Sequence, residues 1–181
     1  ERLDQLFHLA DGLITIVTAD PEVQEVILGP TGVLEGTSEG DLIVDMSTIS
    51  PLTIRAVSEE AEKLGVHVMD APVSGGDTGA IAGTLTIIAG GEPTDFERCR
   101  GIFTAMGNEE NVFHVGPVGV GQTVKIINQL IGGINMASIA EGFVLGIQAG
   151  ADPEMMRKVI GVSSGNSTLF QMRVEDFLMK N

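Results

Sequence analysis

Five short apolar runs, at 13–17, 42–46, 66–69, 84–88 and 112–115, constrain this chain more than any other feature. Each is rich in Val, Ile or Leu and shows little polar alternation, the pattern of a strand covered on both faces. Helix signals fall between them. Asp20-Pro21 reads as an N-cap with proline in the first turn, Ser50-Pro51 repeats the device, and 93–106 follows the fourth run. Gly29-Pro30 and Gly65 close the first two helices. Strands alternating with helices at this spacing predict βαβ units with right-handed crossovers. The fold class is therefore α/β, a doubly wound, mostly parallel, Rossmann-like sheet.

After Gly116-Pro117 the pattern changes. A long apolar helix is predicted over 121–149, a second from the Asp152-Pro153 cap to about 161, and a third over 168–179, with no strand-like run. The expected division is an α/β part, 1–117, and an all-α part, 118–181. The first residues, Arg2 to Ala10, read as the end of a helix, so the chain is expected to be part of a longer protein.

The charge narrows the partners. Ten basic against 25 acidic residues give a formal net charge of −15, which repels nucleic acid and anionic membrane. The segment 126–149 comes nearest to a membrane span, but Asn, Gln, Ser, Glu and Gly interrupt it, and no membrane partner is expected. The single Cys99 has no internal disulfide partner and reads as a structural thiol, which points to a reducing, cytoplasmic setting. His8, His67 and His114 lack metal-ligand spacing and read as structural or surface residues, so no metal site is expected.

Three segments carry chemistry. In Gly119-Val120-Gly121-Gln122-Thr123-Val124-Lys125-Ile126-Ile127-Asn128-Gln129 a glycine-rich turn enters an apolar helix. Lys125, Asn128 and Gln129 share a face of that helix and form a polar stripe that needs partners if buried. The run 66–69 leads into Asp70-Ala71-Pro72-Val73-Ser74-Gly75-Gly76 at a strand's carboxyl end, where open α/β sheets bind ligands. Two glycines after a serine expose backbone N–H groups to a carboxylate or phosphate, although Ser-Gly-Gly is also a common turn. The run 42–46 leads into Asp45-Met46-Ser47-Thr48-Ile49-Ser50, where Ser47 and Thr48 hydroxyls meet a ligand at the same sheet edge or cap the next helix.

Taken in order, these segments resemble the β-hydroxyacid dehydrogenase family, which includes 3-hydroxyisobutyrate dehydrogenases and tartronate semialdehyde (glyoxylate) reductases. Residues 45–51 are similar to the family's strand end beside the nicotinamide, 70–76 to its substrate-carboxylate loop, and 119–129 to its catalytic helix. Gly79 to Leu85 and Gly90-Gly91 fit as well. The resemblance implies an NAD- or NADP-dependent oxidoreductase that interconverts a small 3-hydroxy acid and its semialdehyde. It assigns Lys125 as general acid/base, Ser74, Gly75, Gly76 and Asn128 to the substrate, and Val17, Thr18, Ser47 and Thr48 to the cofactor. It also implies a homo-oligomer, a dimer or tetramer.

The sequence departs from the family at three places. Val17-Thr18 stands where Leu-Pro is usual. No Gly-x-Gly-x-x-Gly follows an N-terminal strand, and a downstream Lys that approaches the cofactor is missing. Both absences fall at the chain's ends, so truncation at both is expected, with one β-α-β unit of about 50–60 residues before Glu1. Lys125 argues against imine reductases, and Asn128-Gln129 against 6-phosphogluconate dehydrogenase, where His-Asn is expected. Succinic semialdehyde reductase, and a homologue that binds a nucleotide or acyl ligand without turnover, remain as alternatives.

Overall fold

The computed structural model describes residues 3, 10 and 12–175. Apart from residues 3 and 10, the helix end read at 2–10 lies outside the described residues, as does the stretch 176–179 of the last predicted helix. The strands are β1 (Gly12–Thr15), β2 (Leu42–Asp45), β3 (His67–Asp70), β4 (Val73–Ser74), β5 (Thr86–Gly90) and β6 (Val112–Gly116). The helices are α1 (Asp20–Leu28), α2 (Pro51–Glu62), α3 (Gly76–Ala82), α4 (Pro93–Met106), α5 (Val120–Gln148), α6 (Pro153–Gly161) and α7 (Thr168–Arg173). All five predicted strands are present, shifted by up to two residues. Among the described strands and α-helices two were not foreseen, β4 and α3, which meet at Ser74-Gly75-Gly76, where an anion-binding loop or a common turn was expected.

β1, β2 and β3 are mutually parallel, and β5 and β6 are parallel to each other. β3 and β4 run antiparallel to β5 in a single register, with Asp70 opposite Gly90, Val73 opposite Ile87 and Ser74 opposite Thr86. Ile88 donates its N–H to Pro72 O at 3.1 Å between those pairs, so β3 and β4 form one extended stretch that Pro72, with no N–H to give, interrupts. The doubly wound, parallel-dominated arrangement is as expected; the antiparallel insertion is the addition.

Both sheet faces are covered. β2 alternates with period two: Leu42 and Val44 join Met69, Ile87, Phe96 and Phe103 under α4, whereas Ile43 joins Val68, Ile27, Ile54 and Val57 under α1 and α2. Each such fully buried aliphatic side chain contributes about 1.5–3 kcal/mol through burial. Ser50 caps α2 by accepting from Leu52 N–H, and Asp152 caps α6 by accepting from Met155 N–H.

Asp20 is not the N-cap that its position before Pro21 suggested. Ala19 occupies the cap with no side-chain bond, and Asp20 Oδ1 instead accepts from Ser50 N–H and Thr53 Oγ1, tying α1 to α2. Those bonds hold its carboxyl below the usual range. Of the histidines, His8 lies outside the described residues, and the other two hold structure together: His67 Nδ1 meets Asp95 Oδ2 at 2.6 Å, and His114 Nε2 meets Gly91 O at 2.8 Å. Cys99 is buried, and burial pushes its thiol up, as expected of an inert sulfur.

The chain divides into two compact units, 1–126 and 127–181. The division falls inside α5, whose first turns group with the sheet. In the second unit Phe143, Phe170 and Val174 form a small core with Ile139, Met156 and Ile160. On α5, Leu130, Ile134 and Leu145 are exposed. By length and composition α5 is also apolar enough to cross a membrane, an 18-residue stretch of it having mean hydropathy 1.6. The polar interruptions seen in the sequence are too few to remove that property over 18 residues.

Candidate active site

The carboxyl ends of β1, β2 and β3 place Thr15, Asp45 and Asp70 in one lateral row, and Gly90 of β5 continues it. Both aspartates are fully buried, and each has an assigned set of donors. Thr15 Oγ1 donates to Asp45 Oδ2 at 2.7 Å; Ser47 donates to Asp45 from its N–H at 3.1 Å and its hydroxyl at 3.0 Å. Ser47 Oγ in turn accepts from Val17 N–H at 2.9 Å. The loops after β1 and β2 are thus fastened together over a buried carboxylate.

Asp70 serves the start of α5 in the same way. Its Oδ1 accepts from Gly119 N–H at 2.6 Å and its Oδ2 from Gln122 N–H at 2.7 Å. These are among the N–H groups that the first turn of α5 leaves without helical partners, and the positive end of the helix favours an anion there. Burial raises the Asp70 carboxyl, the two N–H bonds oppose that, and the neighbouring Asp45 adds to the rise. Asp45 is likewise raised by burial against the pull of Thr15 and Ser47. Replacing Asp70 by Asn puts an amide N–H₂ against one of two backbone donors. The expected result is a loss of about 2 kcal/mol, or a fall of roughly 4–8 °C in Tm followed by circular dichroism. A melting point unchanged within a degree would contradict this cap.

Lys125 follows one turn later, 6% exposed on a helix start that packs against β5. Burial lowers its ammonium from the ordinary lysine value of 10.5. The predicted site residues distribute as follows. Lys125 and Ser47 are buried; Val17 and Ser74 are half-buried; Thr18, Thr48, Gly75, Gly76 and Asn128 are exposed. Val17, Ser47 and the first turn of α5 are brought into one bonded network. Gly75 and Gly76 have φ of +138° and +63°, conformations that glycine alone adopts readily, and link β4 to α3. Asn128 lies three residues beyond Lys125 on α5, in the second unit.

Sequence reasoning missed Asp45, Asp70 and Gln122 as parts of the site. Their signal was available: Asp45 and Asp70 each end a buried apolar strand, where a lone carboxylate needs partners.

Residues 1–116 match a family profile described as the NAD binding domain of 6-phosphogluconate dehydrogenase. Residues 119–181 match one described as the NAD-binding region of NADP-dependent 3-hydroxyisobutyrate dehydrogenase. The chain belongs to the β-hydroxyacid dehydrogenase family. It is 44% identical over 157 residues to a 2-(hydroxymethyl)glutarate dehydrogenase from Eubacterium barkeri, covering 87% of this chain and 52% of that protein. It is 34% identical to a 2-hydroxy-3-oxopropionate reductase from Escherichia coli, over 99% of this chain and 61% of that protein. The solved structure of Psf3 in complex with NADP⁺ and 2-OPP superposes with TM-score 0.85 at 29% identity, over 95% of this chain and 60% of the other. The chain therefore spans about half to three-fifths of the length of these β-hydroxyacid dehydrogenase relatives.

Proposed function

We propose that the protein carrying this chain is an NAD- or NADP-dependent oxidoreductase that interconverts a small 3-hydroxy acid and its semialdehyde. The observation that carries this reading is Lys125, buried with a lowered pKa, on a helix clamped to the carboxyl edge of the sheet. The relatives' named substrates share one pattern: a carboxylate, one intervening carbon, then a primary alcohol or aldehyde carbon. Hydroxymethylglutarate, 3-hydroxyisobutyrate and 2-hydroxy-3-oxopropionate all have it.

The residues fit the nicotinamide end of the cofactor: exposed Thr18 and Thr48 hydroxyls follow β1 and β2, with the Ser47–Asp45 network fixing the loops beneath them. Ser47 itself is spent on that network, so its part is positioning. The nicotinamide supplies or accepts the hydride. Lys125 Nζ gives a proton to the aldehyde oxygen during reduction and takes it back from the hydroxyl during oxidation. Ammonium also stabilises negative charge developing on that oxygen. Ser74, Gly75 and Gly76 hold the carboxylate, and Asn128 the substrate beside Lys125.

The exposed apolar residues of α5 support a homo-oligomer, a dimer or tetramer, in which a second copy covers them. Asn128, Gln129, Asn135 and Glu141 on that helix weigh against a bilayer, and the net charge of −15 against nucleic acid and anionic membrane. The lone buried Cys99 supports a cytoplasmic setting.

The test is NAD(P)H oxidation by the full-length protein carrying this chain, with tartronate semialdehyde and methylmalonate semialdehyde. Turnover of either is expected. Cofactor binding without turnover of any such semialdehyde would overturn the reading in favour of a non-catalytic homologue.

A further inference from the structure

Gln122 has no part in the chemistry just described, yet it is fully buried and bonds across the site through both the nitrogen and the oxygen of its amide. Its Nε2 donates to Ser47 O at 2.7 Å, and its Oε1 accepts from Ile49 N–H at 3.1 Å. Its backbone N–H goes to Asp70. The amide behaves as an extra peptide unit, pairing with the main chain on both sides of Thr48 as a strand residue would. Only one orientation of the amide satisfies both groups, since Ile49 N–H needs an acceptor and Ser47 O a donor. On the helix Gln122 is three residues before Lys125 and so on the same face.

A continuous set of buried bonds therefore runs from Val17 N–H through Ser47 to Gln122 and ends one helical turn from Lys125. The two loops that flank the proposed nicotinamide position are fixed to the helix that carries the proton donor.

We infer that Gln122 is a positioning residue that sets the Thr48 loop against the Lys125 helix, and so holds hydride and proton transfer in mutual register; this rests on the oxidoreductase reading above. Reaction rates fall steeply when reacting groups are misplaced by an ångström. Capping or packing alone would need no amide with this polarity, so polarity is the property to perturb.

Two variants test it in the full-length protein. Gln122→Met keeps the size and removes both side-chain bonds. At a temperature where it stays folded, kcat is expected to fall at least tenfold, with a larger deuterium isotope effect from 4-deuterated NAD(P)H. Gln122→Glu retains donor and acceptor while protonated and loses the donor on ionising. Its kcat relative to wild type is expected to be near unity at low pH and to fall as pH rises through the buried carboxyl's pKa. A role in folding alone moves neither the isotope effect nor this pH ratio, and unchanged values for both overturn the inference.

If the wild-type protein turns over no semialdehyde, the oxidoreductase reading fails, and hydrogen exchange decides the coupling by itself. In Gln122→Met the Ile49 amide is then expected to lose protection at least a hundredfold while Ile43 and Val68 keep theirs. Equal protection at Ile49 in both proteins would overturn it.

Discussion

Lys125→Ala is expected to lower kcat for semialdehyde reduction by 10²–10⁴-fold, the range typical of losing a positioned general acid, with KM for the semialdehyde little changed. The expectation follows from where the charge sits. Lys125 is 6% exposed, and burial pulls its ammonium below 10.5, in the direction that lets a lysine both give and take a proton. The pH dependence has a definite sign in each direction. Reduction needs the ammonium form, so its kcat declines as pH rises through the lowered pKa. Oxidation needs the neutral amine, so its kcat declines as pH falls through the same value. Methylammonium diffusing into the space vacated in Lys125→Ala should restore part of the rate. A variant that keeps full kcat, or wild-type profiles that move the same way in both directions, would remove Lys125 from proton transfer.

What made Lys125 legible in the sequence was the contrast between a cation and the apolar helix around it. Its supports were not legible for the same reason that Asp20 was misread: they act over long sequence separations. Asp20 stands before Pro21 and looks like a cap, but its partners are Ser50 and Thr53, about 30 residues on, and nothing local signals the choice. Asp70 meets Gly119 and Gln122 across 49 and 52 residues, and Gln122 reaches Ser47 across 75. The long strands and helices were readable because a period of two or 3.6 needs several residues to show itself. β4 has two residues and α3 begins at the second of two glycines, so Val73 to Ala82 offered turn chemistry and no period. The antiparallel run of β5 went unseen with them, because that connection is what reverses the chain.

The second large effect is expected from one methyl group. Gly121→Ala should destabilise the chain by about 3 kcal/mol, the upper part of the range for overpacking a tight contact, and lower Tm by roughly 6–12 °C. The Cβ would point at Ile88 O, which is backbone of a central strand, and would stand 2.7 Å from Asp70 Oδ2 and 3.1 Å from Gly90 N. None of these can withdraw cheaply. Ile88 belongs to the sheet, Asp70 is held by the α5 cap, and a Cβ on Gly90 would itself fall 2.6 Å from Asp70 Oδ1 and 2.9 Å from Gly121 N. Helix and strand approach this closely because both residues lack side chains. Gly133→Ala on the same helix is the matched control. Nothing lies within 4 Å of its added Cβ, so the better helix propensity of alanine is expected to leave stability unchanged or raise it by up to about 1 kcal/mol. Because Gly121 is one turn before Lys125, helix displacement in Gly121→Ala should also cost activity at temperatures where the protein remains folded. Equal melting of the two variants would mean that α5 is not seated on β5 through this pair of glycines, and the placement of Lys125 at the sheet edge would lose its physical basis.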